Sequence, residues 1–332
     1  MRTIRPSALM AELKACALSN TPAMIWGPPG SGKSDIVYQL STALAAKLFE
    51  VRANLADPVD VRGGLKVIEQ QNGTFRTRYG VPEDYPDPDY LGNIILFLDE
   101  LPNATKATMN AYLQLILNKR MGTYELPEQT IIIAAGNRAE DRAAVHEMPT
   151  TVKTRFNHFT LEPHIDCFCA YAVKNDIHES IISFLRFRPG LLYALDPKQN
   201  ASPTPRGWEM LSRKLPFMED EYYGCASVIG DGPAGEFITF KSLYKDLPDL
   251  DQLIKSPATT KVPDSPSVLY AICGGLSVRA NKDTFKPIMR YVRRIPPEFQ
   301  VIVVRDCLAK DATLVQEEAY TSWAEANAEV LL

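Results

Sequence analysis

Several features are missing from this 332-residue chain, and each absence removes a class of function. No apolar run approaches the roughly 20 residues that a membrane-spanning helix requires. The opening Met1-Arg2-Thr3-Ile4-Arg5-Pro6 leads into no secretory apolar segment. The expectation is a cytoplasmic protein that does not contact membrane. Paired C-x-x-C spacing is missing among the six cysteines, Cys16, Cys167, Cys169, Cys225, Cys273 and Cys307. Cys167 and Cys169 form a lone C-x-C with His158 and His164 upstream. No second pair completes a zinc ligand set, so the thiols read as reduced and partly buried. An excess of one charge is missing too: 36 Lys and Arg against 40 Asp and Glu give a net charge of −4. No global field therefore attracts nucleic acid, and neither a helix-turn-helix nor a basic aromatic face is visible. There is no internal repeat and no low-complexity tract.

What is present is an ordinary globular composition, 45% hydrophobic and 23% charged, in a chain long enough for one large or two modest domains. The first half alternates short apolar runs with helical stretches, the signature of a parallel sheet covered on both faces. The pattern predicts a helix over 6–18, opened by Pro6, a strand over 23–26 and a helix over 33–47. Strands follow at 49–52, 94–98, 130–135 and 158–161, with a helix over 105–118 between the second and third of these. Residues 65–68 and 75–78 flank Asn72-Gly73, a strong hairpin signal, and a second hairpin is expected over 120–127. Beyond residue 162 the pattern turns helical, at 164–175, 177–187 and 205–214. A Pro/Gly/Asp-rich stretch with short helices covers 216–268, and helices follow at 267–280, 283–294, 297–309 and 311–330. The expected division is an α/β core over 1–162 and a helical region over 163–332.

Three motifs carry chemistry. Gly27-Pro28-Pro29-Gly30-Ser31-Gly32-Lys33-Ser34 fits the Walker A pattern between a strand and a helix. Its glycines let backbone N–H groups turn inward around phosphate oxygens, and the following helix adds positive potential. Lys33 is placed to reach β/γ-phosphates and the Ser34 hydroxyl to ligate Mg²⁺. A match in a chain this long arises by chance about once in a hundred sequences. The second motif is the apolar run Ile94–Leu98 ending in Asp99-Glu100. Carboxylates at a buried strand end are costly unless a cation offsets them. Asp99 suits the ion, and Glu100 suits polarising the water that attacks the γ-phosphate. Third, Ala134-Ala135-Gly136-Asn137 places an amide after a buried strand, where Asn137 could orient that water.

In this order the motifs resemble the AAA+ ATPases, and the details resemble their MoxR branch. Ala53–Gly64 resembles the segment after the second strand, the 65–78 hairpin an insertion in helix 2, and the turn at 122–125 the hairpin before the sensor-1 strand. The resemblance implies a P-loop core with a five-stranded parallel sheet flanked by helices, plus a helical C-terminal lid. It also implies an ATPase using ATP and Mg²⁺. Arg155, in Thr154-Arg155-Phe156, matches the arginine finger that enters the neighbouring subunit's site; Lys153, Arg138 and Arg142 are weaker candidates. Arg206, in Ser202–Trp208, matches the lid's sensor-2 arginine. Such proteins form rings, usually hexamers, and remodel or mature a protein client with a separate von Willebrand factor A-domain partner. The 57–64 segment and both hairpins would move, with Arg76, Arg78 and Tyr79 as possible client contacts. Two other readings remain open: a nucleic-acid-directed AAA+ machine of restriction or transposition type, and a nucleotide-gated assembly scaffold.

Overall fold

Apolar residues run without interruption through the central strands, so both faces of the sheet must be covered. The computed structural model describes residues 2–121, 124–138, 141, 147–242 and 247–327. They divide into two compact units, Met1–Glu162 and Pro163–Leu332.

In the N-terminal unit the elements run β1 (Thr3–Ile4), α1 (Pro6–Leu18), β2 (Ala23–Trp26), α2 (Lys33–Ala43), β3 (Lys47–Arg52) and α3 (Pro58–Arg62). They continue with β4 (Leu65–Glu69), β5 (Phe75–Tyr79), β6 (Ile94–Asp99), α4 (Lys106–Asn118), β7 (Arg120–Met121) and β8 (Tyr124–Glu125). The unit closes with β9 (Thr130–Gly136), α5 (Thr150–Lys153) and β10 (Asn157–Leu161). The main sheet has the order β1-β10-β2-β9-β6-β3, and every pairing in it is parallel. Alternation sorts its side chains. Ile25, Phe97 and Ile133 pack with Leu9 and Leu13 of α1 and Ile36, Val37 and Leu40 of α2. Met24, Leu96, Leu98 and Ile132 face Met109, Tyr112 and Leu115 of α4. β4 and β5 form a separate antiparallel ribbon.

The sheet has six strands rather than the expected five. The extra edge strand, β1, pairs Thr3 and Ile4 with Thr160 and Leu161. Two residues carry no readable period, so the strand is invisible in the sequence. The second helix stops at Ala43, four residues short of the expected end. Ala45 takes a left-handed φ of 47°, and Lys47 and Leu48 join β3 beside β6 instead.

The C-terminal unit is helical among the described residues: α6 (Ile165–Lys174), α7 (Glu179–Phe187), α8 (Pro205–Lys214), α9 (Glu221–Ile229), α10 (Asp231–Ser242), α11 (Leu250–Lys255), α12 (Pro266–Arg279), α13 (Lys282–Val292), α14 (Pro297–Lys310) and α15 (Glu318–Ala326). The short helices expected in the Pro/Gly/Asp-rich stretch form as α9, α10 and α11 among its described residues. Asp220 and Asp249 accept from the first-turn N–H groups of α9 and α11. Pro233 falls in the first turn of α10, where a missing N–H costs nothing. The expected helix over 311–330 is two elements, a 3₁₀ turn at Ala312–Gln316 and then α15; residues 328–330 lie outside the described set. No helix among the described residues is long and apolar enough to cross a membrane.

Two contacts yield stability predictions. At Gly136 a Cβ would stand 2.3 Å from Pro102 Cδ, so Gly136→Ala should cost about 1–3 kcal/mol by overpacking; an unchanged urea midpoint would refute the tight approach. In the C-terminal unit Arg186 bridges α7 to buried Asp306 on α14, at 2.5 Å, and to Asp166 on α6. Arg186→Leu strands the Asp306 charge and should cost about 3–5 kcal/mol, read as a lowered unfolding midpoint for that unit.

Candidate active site

β2, β9 and β6 are adjacent and parallel, so their C-terminal ends meet along one edge, where open α/β sheets bind ligands. β2 leads into Gly27, whose N–H donates to Gly136 O at 3.2 Å. A Cβ on Gly27 would stand 3.2 Å from Ser31 Oγ and 3.3 Å from Leu161 Cβ, so the loop closes tightly on this position. Gly30 and Gly32 take φ of 71° and 91°, a region that glycine enters without penalty. Gly32 caps α2, whose first N–H groups therefore open toward the loop.

Lys33 is held by acceptors on both sides. Its Nζ donates to Gly27 O at 2.9 Å, to Pro28 O at 3.0 Å and to Asn137 Oδ1 at 2.9 Å. The amide expected to orient the attacking water thus accepts from the lysine expected to grip the phosphates. Ser34 Oγ donates to Asp99 Oδ2 at 3.4 Å, and Asp99 Oδ1 accepts from Glu100 N at 3.0 Å. Burial pushes the Asp99 carboxyl above its usual range; the Glu100 N–H opposes this, the charges of Glu100 and Glu50 add to it, and Lys33 opposes it. Glu100 has a left-handed φ of 54°, a conformation that costs a non-glycine residue about 1–3 kcal/mol and tends to persist at functional sites. Ser31 Oγ is buried with no hydrogen-bond partner among the described residues.

These groups fit a nucleoside triphosphate with a divalent cation. Inward N–H groups, an ammonium and an unpaired buried hydroxyl suit phosphate oxygens, and a hydroxyl beside a carboxylate suits Mg²⁺.

Arg155 follows α5, is exposed, and has no side-chain partner among the described residues. Lys153 lies 3.8 Å from Glu147. Arg138 is engaged within its own chain, its Nε and Nη2 donating to Asp141 at 3.0 and 2.7 Å. Arg142 is outside the described residues. Arg206 is exposed in the first turn of α8 in the C-terminal unit, where Thr204 caps the helix and Trp208 is buried. On the β4–β5 ribbon Arg76 and Arg78 are exposed and Tyr79 half-buried. Of the second hairpin, Gly122 and Thr123 lie outside the described residues. Sequence reasoning passed over Gly136 as a requirement. The signal was a glycine ahead of Asn137 together with a proline, Pro102, just after Asp99-Glu100.

A central parallel sheet with Walker A, Asp-Glu and Asn at neighbouring strand ends defines a AAA+ P-loop ATPase domain. Residues 4–154 match the family model of the MoxR domain in the MoxR–vWA–beta-propeller ternary systems. The N-terminal unit is a MoxR-like AAA+ ATPase domain. The matched residues end one position before Arg155. Similar solved structures include RuvB, the Holliday junction branch migration motor of Thermotoga maritima. It is 14% identical, with a TM-score of 0.41 over 87% of this chain and 86% of that one. NtrX of Brucella abortus in complex with ATP is 13% identical, with a TM-score of 0.40 over 98% of this chain and 68% of that one. No curated protein matches the chain by sequence.

The raised Asp99 gives a signed prediction. An acid with a higher pKa folded than unfolded opposes folding while ionised, and that penalty fades as pH falls through the carboxylate range. Asp99→Asn should therefore raise the nucleotide-free melting temperature at neutral pH, with the gain shrinking toward about pH 4. A variant no more stable than wild type at neutral pH would refute the burial argument.

Proposed function

We propose that this protein is a ring-forming ATPase motor that couples ATP hydrolysis to remodelling or maturing a protein client. The observation that carries the reading is the convergence of Lys33, Asn137, Ser34 and Asp99 through direct contacts at the ends of three adjacent strands. In this reading Gly27, Pro28, Pro29, Gly30, Ser31 and Gly32 wrap the phosphates and Lys33 neutralises their charge. Ser34 and Asp99 would hold Mg²⁺, which would supply charge neutralisation at the transferring phosphoryl group. Glu100 takes a proton from the attacking water, and Asn137 orients that water. The exposed Arg155 serves the neighbouring protomer's site, where a guanidinium stabilises transition-state charge; this requirement motivates a ring, with a hexamer the expected size. Arg206 is the proposed sensor-2 residue.

The family to which residues 4–154 are matched is described within ternary systems containing vWA and beta-propeller components. That description supports a separate vWA-domain partner here. The balanced charge gives nucleic acid no general attraction, which favours a protein client over a nucleic-acid-directed machine.

Glu100→Gln should bind ATP and assemble yet lose at least about a hundredfold in turnover, within the 10²–10⁴ that general base catalysis supplies. Co-purification with this variant in the presence of ATP should trap a protein client; recovery of nucleic acid alone would overturn the reading. A scaffold whose hydrolysis is incidental would instead keep its cellular activity with this substitution. Arg155→Ala should retain ATP binding and lose about a thousandfold in hydrolysis, the lower range for an arginine finger. An undiminished rate would remove Arg155 from the site.

A further inference from the structure

His158 lies on β10 one strand away from the phosphate loop, with His158 in register with Met24 and Thr160 with Trp26. Trp26 is the last residue before Gly27, and its Nε1–H donates to His158 Nδ1 at 2.9 Å. An indole nitrogen only donates, so Nδ1 is an acceptor; the ring's hydrogen is then on Nε2. That nitrogen lies 2.7 Å from Lys153 O and donates to it. Lys153 is the last residue of α5, two positions before Arg155. The Trp26 and His158 rings are nearly coplanar, 18° between planes with centroids 6.1 Å apart, as an in-plane N–H···N bond between their edges requires, and Phe156 meets His158 edge-on at 6.3 Å.

We propose that His158 is a positioning residue for the arginine finger. It ties the root of Arg155 to the strand that feeds the same protomer's phosphate loop. The proposal rests on reading Arg155 as a finger acting on the neighbouring subunit. A neutral imidazole suits the role because it accepts at one nitrogen and donates at the other across a fixed plane. One side chain thereby joins the base of a protomer's own nucleotide loop to the group it offers next door. Movement at Trp26 passes to the carbonyl that anchors the finger, without a contact between the two nucleotide sites.

Mixed rings test this. Arg155→Ala subunits keep a hydrolytic site and lack a finger; Glu100→Gln subunits lack hydrolysis and keep a finger. Each alone should be inactive and the mixture active. His158→Phe preserves an aromatic ring and removes both polar contacts. Placed in the Glu100→Gln subunit, it should lower the mixture's ATPase rate at least about tenfold, toward the roughly hundredfold that a 1 Å misplacement of a catalytic group can cost. Placed in the Arg155→Ala subunit, it should leave that rate unchanged, because this subunit offers no finger to misplace. His158→Gln in the Glu100→Gln subunit should restore most of the rate, since its amide can accept from Trp26 and donate to Lys153 O. Trp26→Phe, which deletes the other donor and keeps an aromatic ring, should reproduce the loss with the same subunit dependence. Loss from either subunit alike marks a general folding role and overturns the proposal, as does no loss from either. A parent mixture that stays inactive although both subunits bind ATP overturns the finger reading itself, and this proposal with it.

Discussion

Everything at the candidate site depends on how closely β9 approaches its neighbours. That strand lies between β2 and β6, so the Walker A lysine and the Asp-Glu pair face each other across its last residues. Gly136 is the point of closest approach: the Pro102 ring occupies the space a Cβ would take, while its carbonyl accepts from Gly27 N. The strand end is thus clamped between the loop after β2 and the turn after β6. Asn137, the next residue, has little freedom to be anywhere but on Lys33. The strained backbone at Glu100 belongs to the same clamp, because Pro102 follows it by two residues and Asn103 N donates back to Glu100 O.

Much of this was legible in the sequence, for definite reasons. Ala23–Trp26 and Ile94–Leu98 are short and wholly apolar, one running into glycine and the other into acid, so both strands followed from composition alone. α4 was expected over 105–118, and Thr105 proves to be its cap, its side chain accepting from Thr108 N. What escaped was settled by tertiary contact. β1 is two residues long and exists because β10 offers a free edge. The end of α2 moved because pairing with β6 gave Lys47 and Leu48 more as strand than helix propensity gave them as helix. The pairing of Lys33 with Asn137 could be anticipated as two roles in one site, but not as a direct bond. The tie between Trp26 and His158 spans 132 positions and has no local signature.

The C-terminal unit obeys a different economy. Its core divides between a cluster built on α6–α10 and one built on α11–α15. The ion group of Arg186, Asp166, Asp306 and Arg305 joins α6, α7 and α14. Its buried part is the Arg186–Asp306 pair, which adds little net stability while intact and leaves a costly uncompensated charge when broken. Asp220 and Asp249 serve as caps on the short helices α9 and α11, so the described part of the 216–268 stretch is punctuated by helix starts.

In the proposed function, Lys33 would exchange three good acceptors for a phosphate. Its ammonium is satisfied by Gly27 O, Pro28 O and Asn137 Oδ1, so ligand contacts there are exchanged for existing ones. A bare buried ammonium would cling to spent ADP, because departure would expose an unsolvated charge. A lysine with acceptors waiting loses less when the product leaves. In the proposed ATPase, the same bonds that hold the loop in shape would lower the cost of releasing product.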